Sequence, residues 1–99
     1  MNKDLKKWFV YIIQSTDQSL YTGITTDITR RWNEHLSSPK GAKFFRGRKP
    51  EKLLFVLEQE GRSEATKTEI SIKKLKRSDK LKLINSDNNK IALYKRIIK

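Results

Sequence analysis

Cysteine is absent from the 99-residue chain, and histidine occurs once, as His35. The first absence excludes disulfides, thiolate-held zinc, iron–sulfur clusters and a cysteine nucleophile. The second excludes any site that needs two imidazoles. No apolar run approaches the ~20 residues of a membrane-spanning helix, and no signal-peptide pattern opens the chain. The expected compartment is therefore the cytoplasm, with no membrane partner. Apolar residues are scarce too, at 35% against a usual share of about 45–50% that also counts Gly. Such a chain builds one small core, because a second would need roughly 100 further residues. Two Trp, three Tyr and four Phe make that core feasible without covalent staples.

Positive charge is what the chain has in excess. Lys and Arg number 23 against 11 Asp and Glu, for a formal net charge of +12. A field of that sign attracts polyanions, of which nucleic acid is the commonest; a lysine excess that only serves solubility would favour no partner. Distribution helps to choose. Residues 1–39 are nearly balanced and residues 51–72 slightly acidic, whereas residues 40–50 carry five basic and no acidic groups. The last third, residues 73–99, carries ten basic and two acidic groups. Charge concentrated in one loop and one end favours a binding face.

Residues 8–14, WFVYIIQ, are β-branched and aromatic without a helical period, and read as a central strand apolar on both faces. STDQS (15–19) is turn chemistry, and LYTGIT (20–25) returns as a second, antiparallel strand. If odd residues pair with odd, Tyr11 and Tyr21 share a face. Gly23 inside a strand marks a close backbone approach or a bulge. Thr26 or Asp27 can cap a helix running to about Ser38, with Ile28, Trp32 and Leu36 as its apolar stripe. Arg31 and His35 sit on one flank of that stripe. Pro39 to Pro50 is a basic loop. LLFVLEQ (53–59) reads as a third strand, Ser63 as the cap of a helix over 63–76 with Ala65, Ile72 and Leu75 inward, and Ser78 as the cap of a short helix to Ile84. The order β-β-α-β-α-α predicts a small α+β domain, a three-stranded antiparallel sheet flanked by helices, over residues 6–84. Residues 85–99 form a basic tail or an extra element.

Several of these residues fall into a known pattern. Phe9-Val10-Tyr11, Tyr21-Thr22-Gly23, Arg31 in RRWNEH, His35 and Glu69 in SEATKTEISIKKL follow one another in consistent order and spacing. This set resembles the GIY-YIG nuclease superfamily, specifically its small stand-alone bacterial members of the uncharacterised-protein (UPF) type. GAKFFRGRKP (41–50) is similar to a signature of that subfamily. The first tripeptide lacks its Gly, although only its Tyr bears chemistry in the family. Many members also carry a C-terminal Asn near the site, and the resemblance does not choose among Asn85, Asn88 and Asn89 for it.

The resemblance implies phosphodiester hydrolysis, which needs an activated water, cationic stabilisation of the phosphorane oxygens and help for the leaving group. A tyrosine whose pKa is lowered from about 10 by nearby cations can accept the water's proton. Tyr21 is the preferred base and Tyr11 a supporting donor; taken alone, each also fits a packed strand residue with a satisfied hydroxyl. Arg31 offers a planar charged fork for phosphate oxygens, whereas Arg30 reads as solvated. His35 binds a phosphate or moves a proton, or else caps or sits on the surface. Glu69 is the implied sole protein ligand of one Mg²⁺ or Mn²⁺ ion, with water and phosphate completing the shell. The helical wheel itself does not choose between Glu69 and Glu64.

Lys43, Arg46, Arg48 and Lys49, interleaved with Phe44 and Phe45, suit phosphate contacts with base stacking. No acidic residue lies among them, so the loop cannot neutralise itself; at least one Phe is expected in the core. The expected function is a metal-dependent DNA endonuclease of low intrinsic sequence specificity, targeted by DNA structure or by a protein partner. Its rivals are a binding module of the same fold without cleavage, and a basic RNA- or ribosome-associated protein.

Overall fold

A computed structural model describes residues 6–37 and 41–91. Residues 38–40 of the basic loop and 92–99 of the basic tail lie outside the described residues. The strands are β1 (Trp8–Ser15), β2 (Leu20–Thr25) and β3 (Pro50–Gln59), and the helices α1 (Ile28–Ser37), α2 (Arg62–Lys73) and α3 (Arg77–Ile84). A 3₁₀ turn, Lys43–Phe45, lies between α1 and β3. The β-β-α-β-α-α order is as the sequence predicts. No helix among the described residues is long and apolar enough to cross a membrane.

The sheet runs β2-β1-β3, antiparallel throughout. Its centre is β1, whose Val10, Tyr11, Ile12 and Ile13 are all buried. Covered on both faces, this strand needs the continuous apolar run that its sequence supplies. Val10, Ile12 and Phe55 meet Ala65 and Ile72 of α2 on one face, with Leu83 and Ile84 of α3 alongside. Tyr11, Ile13, Leu53 and Val56 meet Ile28 and Trp32 of α1 on the other. Pairing does join odd with odd: Tyr11 lies opposite Gly23, and Tyr21 opposite Ile13. Both tyrosines therefore belong to the α1 face.

The register of β3 against β1 shifts twice, between Ile12 and Ile13, where Leu54 is the extra residue, and between Gln14 and Ser15, where Glu51 is. Asn89 closes this irregular edge. Its side-chain oxygen accepts the Val56 N–H at 3.1 Å and the Ile91 N–H at 3.0 Å. Its amide donates to the carbonyls of Leu54 and Ile84, each at 2.8 Å. One asparagine thus ties the end of α3 to the sheet and satisfies backbone groups that an edge strand leaves open.

Three helix details depart from the pattern. Asp27 caps α1, accepting the Arg30 N–H at 3.0 Å, but the inward position one turn on is His35, while Leu36 stays 50% exposed. Helix α2 starts at Arg62 after Gly61, with Ser63 inside the helix rather than capping it, and stops at Lys73, which leaves Leu75 outside. Helix α3 starts at Arg77 after Lys76, not after Ser78, and no side chain caps it.

Candidate active site

Gly23 explains how the two tyrosines can share a face. A Cβ built there would lie 2.5 Å from Tyr11 Oη, 2.7 Å from Tyr11 Cζ and 2.9 Å from Tyr21 Cε2. The phenol of Tyr11 lies across the strand directly over a position that only glycine leaves open. The requirement is steric, since Gly23 is not among the glycines with positive φ.

Pinned there, Tyr11 meets His35. Its Oη lies 2.9 Å from His35 Nε2. The other ring nitrogen, Nδ1, accepts the backbone N–H of Ala42 at 3.2 Å. That acceptor role fixes the tautomer: a neutral imidazole that accepts at Nδ1 carries its proton on Nε2 and donates it to Tyr11. His35 is 5% exposed. Burial, with the Arg31 charge acting in the same direction and Glu34 against it, pushes its pKa down to about 4. This is neither a surface nor a capping histidine. Gly41 makes the arrangement possible, because a Cβ there would lie 2.8 Å from the Glu34 carbonyl oxygen and 3.0 Å from His35 Cα.

Tyr11 is 2% exposed. Burial raises its pKa well above the ordinary phenol value; neighbouring Tyr21 adds to the rise, and the Arg31 guanidinium facing the hydroxyl opposes it. Arg31 is itself partly buried, which works against its charge, but Glu34 and the Tyr11 hydroxyl hold the proton on. Its Nη1 donates to Glu34 Oε1 at 2.8 Å. Arg31 therefore comes to Tyr11 already oriented by a carboxylate.

Tyr21 occupies the rim, half-buried on the edge strand. Its ring centroid lies 6.1 Å from that of Tyr11, 5.6 Å from His35, and 5.2 Å from each of Phe44 and Phe45. Phe45 also packs on the core cluster, 4.7 Å from His35. From α2, the ammonium of Lys73 lies 5.9 Å from the Tyr21 ring centroid. Lys73 pairs in turn with Glu69 at 3.3 Å. Glu69 is the sheltered carboxylate of α2, its side chain 19% exposed against 60% for Glu64. Among the described residues no three His, Asp or Glu side chains gather in one place.

The basic loop divides. Lys43, Arg46 and Lys49 are exposed, with no carboxylate partner among the described residues. Arg48 is engaged: its Nε donates to Asp17 at 2.9 Å, its Nη1 donates to the Phe44 carbonyl at 3.2 Å, and its guanidinium stacks 4.4 Å from the Phe44 ring centroid. The loop lacks internal acids, as its sequence says, but the β1–β2 turn supplies one. Asp17 also accepts from the Ser15 hydroxyl and from the Ser19 N–H, and these bonds, with Arg48, hold its pKa well below the usual carboxylate range. Arg48 clasps the loop to that turn.

Comparison with known proteins fits this arrangement. A family model described as the GIY-YIG catalytic domain matches residues 7–85. The chain belongs to the GIY-YIG family. Among its relatives, a UPF0213 protein of Desulfotalea psychrophila is 47% identical over 92 residues, covering 92% of this chain and 84% of that one. A UPF0213 protein of Cupriavidus necator is 51% identical over 73 residues, covering 74% and 78%. The solution structure of a UPF0213 protein from Bacillus halodurans is 39% identical, with a TM-score of 0.53 over 83% of this chain and 86% of that one. In this GIY-YIG chain, the tripeptide residues Tyr11, Tyr21 and Gly23 stand together with Arg31 and His35. Glu69 adjoins them through Lys73, whereas Arg48 serves the loop instead.

Sequence reasoning missed Gly41 and Ala42, which seat His35, as well as Asp17 and Lys73. Only Gly41 left a trace, as a glycine opening the GAKFF segment. Lys73 stands one helical turn from Glu69, a spacing visible in the sequence, but its approach to Tyr21, like the Arg48–Asp17 and Ala42–His35 contacts, joins residues that no local period relates.

Proposed function

We infer that this chain is a divalent-metal-dependent nuclease that hydrolyses phosphodiester bonds in DNA with little intrinsic sequence preference. The observation that carries the reading is the convergence on one strand pair of a buried tyrosine–histidine bond, an arginine oriented by a carboxylate, and a second tyrosine at the rim.

Roles follow from accessibility. Tyr11 is sealed and its proton tightly held, so it is poorly placed to take a proton from water. It offers a hydroxyl of fixed direction, because His35 donates to its oxygen. Tyr21 at the rim, beside the Lys73 ammonium, is the candidate base. Arg31 presents a permanent charge that Glu34 holds in place, suited to the oxygens of the pentacoordinate phosphorus. His35, with both nitrogens engaged, is a positioning residue for Tyr11. Glu69 fits as the single protein ligand of a hard cation that keeps most of its waters, which suits Mg²⁺ or Mn²⁺ better than a multi-residue cage would. When bound, such an ion supplies Lewis-acid stabilisation of the leaving oxygen. Lys43, Arg46 and Lys49 then supply phosphate contacts beside the site.

A second reading, a binding module without cleavage, draws on the Glu69–Lys73 ion pair, which occupies the carboxylate that a metal would need. One panel separates the two: single-stranded, duplex and branched DNA and RNA, with Mg²⁺ or Mn²⁺, for wild type, Glu69→Ala and Glu64→Ala. The nuclease reading expects metal-dependent cleavage that Glu69→Ala abolishes while affinity stays within about twofold, and that Glu64→Ala largely keeps. Binding without cleavage by the wild type would favour the module, and exchanged behaviour of the two variants would move the ligand to Glu64.

A further inference from the structure

Beyond the tyrosines, a groove of about 290 Å³ crosses the end of the sheet where β2 leads into α1. Arg30 and Arg31 of α1, Arg62 of α2 and the ring of Trp8 line it, with Glu34 and Thr25. Three guanidinium groups thus face one carboxylate. Glu34 serves two of them, Arg31 at 2.8 Å and Arg30 at 3.6 Å. Arg30 is further steered by a bond from Nη2 to Thr25 Oγ1 at 3.3 Å. Arg62 has no carboxylate partner among the described residues, and its guanidinium lies 5.6 Å from the centroid of the Trp8 ring. The groove therefore keeps an excess of positive charge at fixed positions, next to a flat aromatic surface.

We propose that this groove holds one unpaired nucleotide of the substrate strand, its phosphate against Arg30 and Arg62 and its base against Trp8. Fixed guanidinium groups select phosphate, and an indole beside a cation is a stacking platform that any base can use. A groove of this volume, near the lower end of the ~300–1,000 Å³ range of small-ligand sites, takes one nucleotide and not a duplex. Arg31 makes it continuous with the tyrosine site, because the same side chain lines the groove and faces the Tyr11 hydroxyl. The proposal rests on the nuclease reading and sharpens it. The preferred substrate carries a single-stranded segment beside the cut, as at a flap, overhang or branch.

The chain has two tryptophans, so Trp32→Phe leaves Trp8 as the sole indole reporter. Titrating that variant with a ten-nucleotide oligothymidine, without divalent metal, should quench Trp8 emission, and a blunt duplex should quench it much less. Adding Arg30→Gln and Arg62→Gln, both at exposed positions, should weaken single-strand binding at least tenfold. It should also flatten the log–log salt dependence by about 0.7, the value for the single phosphate that the two arginines hold. Blunt-duplex affinity should stay within about twofold. Tighter binding of oligouridine than oligothymidine would retain the groove and assign the strand to RNA. No quenching, or equal losses for single strand and duplex, would overturn the proposal. The titration itself measures no cleavage, so quenching of Trp8 in the Trp32→Phe chain, with a wild-type chain that cuts nothing in the cleavage panel, would leave the groove standing and remove the nuclease reading instead.

Discussion

Lowering the pH from 7.5 to 5 should cost the folded state about 2 kcal/mol through His35 alone, given its native pKa of about 4. In the fold the imidazole is neutral; its Nδ1 accepts from Ala42 and its Nε2 donates to Tyr11. In the unfolded chain it titrates near 6.5. Between these values the unfolded chain binds the proton and the native state does not, so acid favours unfolding. The stability is fully present above about pH 6.5 and is lost progressively down to about pH 4. At roughly 1.4 kcal/mol per pKa unit, the whole shift is worth about 3 kcal/mol, of which about 2 has gone by pH 5. Urea unfolding of wild type and His35→Gln at pH 7.5 and 5 separates this loss from carboxylate titration, which both proteins share. With m values of ~1–3 kcal/mol/M for small domains, the wild-type midpoint should fall by about 0.7–2 M more than that of the variant. Because His35 is the only histidine, its ring proton is also assignable by NMR without further labelling. A titration midpoint near 6.5, or equal acid sensitivity of the two proteins, would refute the tautomer and the burial argument together.

Gly23→Ala places a methyl 2.5 Å from Tyr11 Oη on a buried strand, so the phenol must leave His35; overpacking of this kind costs about 1–3 kcal/mol, readable by thermal unfolding, with cleavage falling at least a hundredfold. Arg31→Lys keeps the charge but loses the fork that Glu34 orients, and kcat/KM should fall more than tenfold, about 1.4 kcal/mol; a smaller effect would demote Arg31 to an ordinary ion pair. Replacing Lys43 and Arg46 together by Ala should flatten the salt dependence of duplex binding by up to about two, at about 0.9 per phosphate. Arg48→Ala, which breaks the clasp to Asp17, should instead lower stability and leave the slope nearly unchanged.

The sheet and its register were legible because a strand buried on both faces has to be apolar throughout, and because period-2 alternation decides which face Tyr11 and Tyr21 share. Helix boundaries were less so. Ser63 and Ser78 have the chemistry of caps, yet their helices begin earlier, at Arg62 and Arg77. Packing on the sheet set where each helix runs, and the local hydrogen bond that a cap offers is too small to override it. In α1 the apolar stripe pointed to Leu36, whereas His35 turns inward. A periodicity argument has no means of seeing that a buried imidazole loses little if both nitrogens find partners, and those partners come from β1 and from the loop after α1. The three asparagines Asn85, Asn88 and Asn89 were equivalent as letters; the Leu54 bulge on β3 separates Asn89 from the rest.

Two tyrosines of the same motif, on the same face, therefore face different chemistry for a reason that lies in the strand order. Tyr11 is on the central strand, where Gly23 leaves room for its ring to lie flat and α1 closes over it. Tyr21 is on the edge strand, where no further strand pairs among the described residues and cover comes from elsewhere. That cover is the 41–50 loop, through Phe44 and Phe45, and the loop is held by Gly41 against α1 at one end and by the Arg48–Asp17 clasp at the other. On the proposed mechanism the reacting water meets Tyr21 and not Tyr11. The dryness of the base is then set by a loop whose exposed cations also meet the substrate phosphates, so binding at Lys43, Arg46 and Lys49 bears directly on the phenylalanines that enclose the base.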